Sequence, residues 1–130
     1  MWEAYDWKNE DLPWAGTALW GGIGGQNKGP CGAVASAAVC LGLRHRRPLT
    51  DKDAVARARE AAFREAGELA REFIEKFGAI SCFELVGVEF SDKDSIERAI
   101  KSGRFEKCHD YMRFVVGKLY ELEEKREQAE

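Results

Sequence analysis

The stretch TDKDAVARAREAAFREAGELAREFIEKFG, residues 50–78, decides the fold of this chain. Apolar side chains recur in it every three or four residues, which is the period of one face of an α-helix. Residues 50–53 resemble a capping box, and Gly78 is the residue type that commonly ends a helix. We therefore predict one long amphipathic helix here, whose apolar face must pack against further helices.

A second helix is predicted on the N-terminal side of this stretch, from Pro30 to about Leu43. Proline suits the first helical position because its missing N–H would have no partner there. Almost every residue of this segment is Ala, Gly, Val, Ser, Cys or Leu, and such small side chains allow neighbouring backbones to approach closely. We expect this helix to be the central and most buried one.

Three further helices are predicted on the C-terminal side. Ser81 and Glu84 form a second capping box, in which we expect Glu84 to bond the Ser81 amide rather than to take part in chemistry. Gly87 closes this short helix. Residues 91–94 begin another helix, and the last helix covers residues 104–126.

The remaining pattern sets the fold class. No segment alternates convincingly between apolar and polar residues, so no strand is predicted. Residues 1–20 hold Trp2, Trp7 and Trp14 without a clear period, and we expect an irregular arm whose aromatic rings are buried on this chain or on a partner. The prediction is an all-α fold: one single-domain helical bundle of about five helices over residues 1–130, with a tryptophan-rich N-terminal arm.

Composition and charge limit the function classes. Hydrophobic residues are 45% and charged residues 33% of the chain, which is normal for a folded soluble domain and argues against disorder. A net charge of -3 with a pI near 5.5 gives no support for broad nucleic-acid binding. No apolar run reaches the length needed to span a membrane, and residues 1–10 lack a signal pattern, so we expect a cytoplasmic protein.

Three of the four cysteines, Cys31, Cys82 and Cys108, stand at or just inside predicted helix starts. A helix N-terminus stabilises negative charge, and this effect lowers the pKa of a thiol. In a cytoplasmic protein, four cysteines indicate redox or metal chemistry before structural disulfides. No Cys-x-x-Cys or Cys-x-x-Cys-His spacing is present, so any centre must be assembled from three separate helices.

The other titratable candidates have simpler explanations. Cys40 lies nine residues after Cys31, half a turn out of phase on the helix, so it should face away and pack in the core. His109 follows Cys108 at a helix start, where it is either an exposed residue or a ligand. His45 and the arginines around it complement a helix C-terminus, with a small anion site as the alternative.

The glycine-rich loop of residues 21–29 precedes the second predicted helix. It contains a Gly-x-Gly pattern but does not follow a strand, so a dinucleotide-binding motif is not indicated. A loop before a helix start can still admit a ligand close to the backbone. We therefore take Gly24, Gly29 and Gly32 as candidate cofactor-binding residues.

Three segments carry a resemblance to a known family: GPCGAVAS at residues 29–36, FGAISCFELVG at residues 77–87 and KC at residues 107–108. The chain resembles the redox-active proteins named for the spaced motif C_GCAxxG_C_C, over about residues 21–119. The family's members are proposed to be redox-active because of their cysteines. Carried over position by position, the family's cysteines fall on Cys31, Cys82 and Cys108.

The chain departs from the family pattern at two places. The family usually has an earlier helix that bears the first cysteine, but no cysteine precedes Cys31 here. Ser36 stands where the motif has its final glycine. The resemblance therefore leaves two alternatives: a site of three cysteines, completed by His109, a water molecule or a partner chain, or a chain that has lost its cofactor.

Three hypotheses about function follow. The first is a redox protein in which Cys31 and Cys82, or Cys82 and Cys108, cycle between dithiol and disulfide with an unknown redox partner. The second is a metal or iron–sulfur centre held by Cys31, Cys82 and Cys108, with His109 as a further candidate ligand. The third is an interaction module whose tryptophan arm docks on another chain. We expect a homodimer, no nucleic-acid partner and no membrane partner.

Overall fold

The computed structural model describes residue 3, residues 6–90 and residues 92–129. Within these residues the chain forms helices and no named strand, so the predicted all-α class is confirmed. The helices are α1 (Asp11–Thr17), α2 (Gly32–His45), α3 (Lys52–Phe77), α4 (Cys82–Val86), α5 (Lys93–Lys101) and α6 (Glu106–Ala129). In the part of the chain that is described, no helix is long and apolar enough to cross a membrane.

Helix α3 is the long amphipathic helix that its sequence predicts. Its cap is Asp51 rather than Thr50, because the Asp51 carboxylate accepts the Ala54 N–H at 2.9 Å. It ends at Gly78, whose left-handed φ of 82° lets the Gly78 N–H return to the Ile74 carbonyl at 2.7 Å. Both ends of the helix are therefore fixed by local sequence.

The core lies where α2, α3 and α6 pack against one another. Helix α2 contacts both long helices and also α1, so the prediction that it is the central helix is confirmed. The largest side chains that are fully enclosed here are Leu41, Leu69, Phe73 and Leu119. Small residues on α2 allow this close packing, as the composition of the segment predicts.

Two parts of the predicted element pattern are corrected. Residues 1–20 are not wholly irregular, because α1 adds a sixth helix at Asp11–Thr17. Pro30 is not the first helical residue, since Cys31 is the N-cap of α2 and the helix begins at Gly32. Trp7 packs against the core, whereas Trp14 is 75% exposed, and the predicted role of Trp2 falls outside the described residues.

The caps of the two short helices also differ in detail from the prediction. Glu84 accepts a hydrogen bond from the Ser81 hydroxyl instead of bonding the Ser81 amide. The predicted start of α5 at Ser91 lies outside the described residues. Asp92 caps this helix, with its carboxylate accepting the Ser95 N–H at 2.7 Å. Helix α6 ends later than predicted, at residue 129.

Buried contacts with carboxylates hold the C-terminal end of α2 against its neighbouring helices. The Arg44 Nε lies 2.7 Å from Glu123 of α6, and His45 Nε2 lies 2.8 Å from Glu65 of α3. Complementing the helix dipole is therefore not the whole role of Arg44 and His45. Glu123 and Glu65 lie beside Arg44 and His45, where a small anion would otherwise bind.

A second charged cluster joins α3 to α6. The Lys118 side chain is 2% exposed, and its Nζ lies 2.9 Å from Glu68, 2.7 Å from Glu72 and 3.1 Å from Glu121. Burial alone would lower the pKa of Lys118, but hydrogen bonds to the three carboxylates outweigh it and raise the pKa. Lys118 is therefore a fixed positive charge between the helices.

Candidate functional site

An isolated antiparallel bridge brings two of the predicted cysteine segments together. Pro30 pairs with Ser81, and the hydrogen bonds are made by their neighbours. The Cys31 N–H donates to the Ile80 carbonyl at 2.7 Å, and the Cys82 N–H donates to the Gly29 carbonyl at 3.0 Å. Because the paired residues themselves make no ladder bond in this arrangement, the missing N–H of Pro30 costs nothing.

The bridge puts Cys31 and Cys82 on the same side of the two segments. Each cysteine comes directly after the paired residue of its own segment, so the two are diagonal neighbours. Diagonal neighbours in an antiparallel pair are about 7–8 Å apart. Both thiols are free.

Cys108 joins them from a third element. It is the third residue of α6, is half-buried, and lines the same cavity as Cys31 and Cys82. The three sulfurs are close enough that negative charge on Cys31 or Cys108 would raise the pKa of Cys82. The cysteines that the sequence selects therefore converge in space.

The thiol acidities of Cys82 and Cys108 are opposite to the sequence-based expectation. Burial, with smaller contributions from Cys31 and Cys108, raises the pKa of Cys82 to about 11. Burial and the nearby Cys31 also raise the pKa of Cys108. In both cases the loss of hydration outweighs the helix start.

The amides at the start of α4 are all bonded to oxygen atoms of the chain. All four first amides of this short helix already have acceptors. The pairs are Cys82 N to Gly29 O, Phe83 N to Asn27 O, Glu84 N to Ser81 Oγ and Leu85 N to Ser81 O. No donor is left over for the sulfur.

The start of α2 differs from that of α4. Cys31 is its N-cap, and the following amides of Gly32, Ala33 and Val34 make no hydrogen bond to any described part of the chain. Gly32 and Ala33 also line the cavity. The first turn of α2 thus presents donors beside Cys31, and such an environment stabilises an anion.

The cysteines line an apolar cavity of about 840 Å³. It extends along α2 between the glycine loop, α5 and α6. Its wall includes Trp20, Phe90 and Phe105, with stacked or tilted ring pairs whose centroids are 5.9 and 5.6 Å apart. Ile100 is 61% exposed at this cavity. A cavity of this size is in the range that holds small-molecule ligands.

Cys40 belongs to this wall as well as to the core. It is 6% exposed and packs in the main hydrophobic cluster, so its predicted packing role is confirmed. Burial raises its pKa. The expectation that Cys40 faces away from Cys31 did not indicate this, because it treated Cys31 as helical, whereas Cys31 is the N-cap of α2 with a non-helical ψ of 132°.

The three candidate glycines have different surroundings. Gly24 is exposed and would meet nothing within 4 Å if it carried a Cβ. A Cβ on Gly29 would lie 3.0 Å from the Gly22 carbonyl oxygen, and one on Gly32 would lie 3.0 Å from the Leu19 carbonyl oxygen. Only Gly32 of the three lines the cavity. Close packing of the chain on itself explains Gly29 and Gly32, and a cofactor-binding role for the three stays a prediction.

His109 is exposed and lies at the edge of the cavity. Among the described residues, no group of three or more His, Cys, Asp and Glu side chains is arranged to hold a metal ion. The assignment of Cys31, Cys82, Cys108 and His109 as metal ligands therefore stays a prediction.

Asn27 is a positioning residue that the sequence analysis missed. It is 1% exposed with a left-handed φ of 44°, and its side-chain amide donates to the Val88 carbonyl. Its N–H donates to the Gly21 carbonyl at 2.7 Å, and its carbonyl accepts the Phe83 N–H at 2.8 Å. Asparagine tolerates this backbone conformation. One residue thus joins the glycine loop to both ends of α4.

Replacing Asn27 with alanine is expected to lower the free energy of unfolding by about 2–3 kcal/mol, measured by urea denaturation. The variant leaves the Val88 carbonyl without its donor and forces alanine into a left-handed conformation. Asn27→Gly loses the same hydrogen bond without the backbone cost and should lose only about 1–2 kcal/mol. An unchanged Asn27→Gly variant would contradict the structural role of the side-chain bond.

The chain matches a model of a known protein family. A family model described as "Putative redox-active protein (C_GCAxxG_C_C)" matches residues 1–122. No curated protein and no solved structure matches the chain. The matched residues include the arm, all four cysteines and most of α6.

Proposed function

Because this chain belongs to the family described as "Putative redox-active protein (C_GCAxxG_C_C)", we propose that it carries out thiol redox chemistry with Cys31 and Cys82 as its dithiol. The observation that carries this proposal is the bridge between Pro30 and Ser81. It holds two free thiols as diagonal neighbours on one side of the two segments; Cys31 is half-buried and Cys82 is buried. A disulfide needs Cα atoms within about 7 Å, so closure requires a backbone shift on the order of 1 Å.

The two cysteines have different roles in this proposal. Cys31 attacks first, since it is partly exposed and adjoins the free amides of α2. Its sulfur bonds to one sulfur of an oxidised partner disulfide, and the other partner sulfur leaves as a thiolate. Cys82 then attacks the Cys31 sulfur, which closes the internal disulfide and releases the second partner sulfur. Two electrons have moved to the partner.

Cys82 suits the second step. Its pKa of about 11 keeps it protonated near neutral pH, so it does not compete for the first attack. In the mixed disulfide its target lies next to it across the bridge, and high local concentration offsets a small thiolate fraction. Cys108 is close to both sulfurs and is the alternative partner of Cys82.

The test is a thiol count on the reduced protein, at low protein concentration, before and after oxidation with a mild small disulfide. We expect the wild type to lose two thiols and peptide mapping to find a Cys31–Cys82 link. Cys31→Ser and Cys82→Ser should lose this link. Cys40→Ser is the matched control, because Cys40 is a free thiol of the same cavity that is not at the bridge, and it should keep the link.

Two outcomes would contradict the proposal. Four free thiols in the oxidised wild type would reject dithiol chemistry altogether. A link that Cys108→Ser abolishes and Cys31→Ser leaves intact would transfer the dithiol to Cys82 and Cys108. Metal content and the visible spectrum of the same anaerobic sample test the hypothesis of a zinc or iron–sulfur centre on these thiols.

A further inference from the structure

We propose that the cavity above the thiols binds an uncharged, flat electron acceptor of the quinone class, which the Cys31–Cys82 dithiol reduces. This inference rests on the proposed function, because it names the acceptor of that same dithiol. Four features of the cavity favour such a ligand: its size, the absence of charge on its lining, its aromatic wall and its position against the thiols.

Charge excludes the common soluble acceptors. None of the described side chains that line the cavity is Asp, Glu, Lys or Arg. Apart from the thiols, its polar side chains are Ser36 and His109. Glutathione, nicotinamide nucleotides and flavin nucleotides all carry charges that would lose water here without gaining an ionic partner. An uncharged molecule enters the same space without that cost.

The wall favours a flat ring. Trp20 stacks on Phe90 with an interplanar angle of 19°, and Phe90 contacts Phe105. All three side chains line the cavity. Aromatic surfaces bind planar rings by offset stacking and burial. The volume of about 840 Å³ accommodates a substituted quinone ring with an apolar side chain.

The thiols lie where such a ring can react. Cys31 and Cys82 line the cavity, and so do Gly32 and Ala33, whose amides have no acceptor among the described residues. Those amides suit a quinone carbonyl oxygen, and they suit it better as negative charge develops on that oxygen during reduction. The reactive Cys31 thiol and the amides that suit the quinone oxygen are therefore adjacent groups at the start of α2.

Two electrons and two protons pass from the thiols to the quinone. The Cys31 thiol loses its proton as its sulfur bonds to a ring carbon. Cys82 then loses its proton and attacks the Cys31 sulfur as the sulfur–carbon bond breaks. The electron pair of that bond passes to the ring, and the protons from the two thiols are taken up by its two oxygens. One disulfide bond forms, two S–H bonds break, two O–H bonds form, and the quinone becomes a hydroquinone.

The experiment uses tetramethyl-1,4-benzoquinone, whose fully substituted ring prevents permanent alkylation of the thiols. Equilibrium dialysis with the Cys31→Ser/Cys82→Ser double variant measures binding without electron transfer. Anaerobic mixing with the reduced wild type measures hydroquinone formation. We expect saturable binding, and one hydroquinone for each pair of thiols lost.

A charge placed at the cavity provides the matched comparison. Val116 is 43% exposed on α6 and lines the cavity, whereas Tyr120 is 48% exposed one turn later and does not. Val116→Asp, made in the double variant, should weaken quinone binding about tenfold or more, since it buries a carboxylate against an apolar ligand. Tyr120→Asp should leave binding unchanged.

The outcomes separate this inference from the proposed function. If a small disulfide oxidises the pair but the quinone neither binds nor is reduced, the quinone inference is wrong and the dithiol stands. If neither reagent oxidises the pair, the dithiol itself is rejected. If the quinone fails to bind and gel filtration shows a dimer that only Val116→Asp dissociates, the groove is an interface between two copies, which also overturns the inference.

Discussion

Replacing Phe73 with alanine is expected to lower the free energy of unfolding by about 3–5 kcal/mol, because a large ring leaves a fully enclosed site. Phe73 has 0% exposed surface. Its ring centroid is 4.8 Å from that of Phe77, 5.6 Å from that of Tyr111 and 5.9 Å from that of Phe114. The side chain therefore joins α3 to α6 at the centre of the core. Urea denaturation followed by circular dichroism measures the loss.

The matched control for this change lies on the same helix. Phe63 is 79% exposed, so Phe63→Ala removes the same atoms and has the same effect on helix propensity. It should change the free energy of unfolding by less than about 0.5 kcal/mol. Equal effects of the two substitutions would show that enclosure of Phe73 does not stabilise the fold.

The effect of Phe73→Ala should also reach the thiols. Tyr111 packs edge-on against Phe73, and its hydroxyl donates to the Leu85 carbonyl of α4 at 3.2 Å. Cys82 begins that helix. Loosening the ring cluster therefore removes support from the element that keeps Cys82 buried, and Cys82 should react faster with iodoacetamide in the variant.

Replacing Lys118 with methionine is expected to cost about 2–3 kcal/mol at pH 7, because three carboxylates lose the cation between them. The value lies below that of a fully buried pair, since Glu68, Glu72 and Glu121 keep 30%, 40% and 48% of their side-chain surface exposed. Thermal and urea unfolding across a pH series measure the difference from the wild type.

The pH dependence has a definite sign. Hydrogen bonds from the lysines lower the pKa of two carboxyl groups. The largest effect on Glu68 comes from Lys118, and the largest effect on Glu121 comes from Lys125. Their stabilisation is present above the unfolded pKa near 4.5 and is lost as pH falls through the lower folded value. Because the pKa of Lys118 is raised, this side chain keeps its positive charge to a higher pH than an ordinary lysine does. The gap between wild type and variant should therefore be widest from about pH 5 to pH 10 and should shrink in acid.

Lys125→Met is the control for this cluster. Lys125 Nζ contacts two of the same carboxylates, Glu68 at 3.2 Å and Glu121 at 2.7 Å, but its side chain is 55% exposed. Water replaces it readily, so the loss should be much smaller than that from Lys118→Met. A loss from Lys125→Met as large as that from Lys118→Met would contradict the importance of burial in this cluster.

The sequence predicts what depends on local periodicity and capping. The long helix at residues 50–78 has an apolar repeat together with end signals, and its bounds are nearly as predicted. Helix α1 was missed because seven residues around Pro13 are too short to establish a period. The selection of Cys31, Cys82 and Cys108 needed only their positions relative to helix starts and a family resemblance.

What the sequence did not predict depends on contacts between distant segments. The pairing of Pro30 with Ser81 involves one residue on each side, so it leaves no alternating pattern to detect. The raised pKa of Cys82 depends on burial and on the nearby Cys31 and Cys108, none of which follows from a helix start alone. The ion pair of Arg44 with Glu123 likewise joins residues far apart in the chain.

The single bridge between Pro30 and Ser81 has a topological consequence. A disulfide between the cysteines that follow these residues would close a covalent ring of roughly 50 residues, and the loss of chain freedom in the unfolded state is worth about 4 kcal/mol. That ring contains the whole of α2 and α3, which supply much of the core. Reduction and thermal unfolding would then be coupled equilibria, so that the redox potential of the surroundings sets the unfolding temperature of the chain.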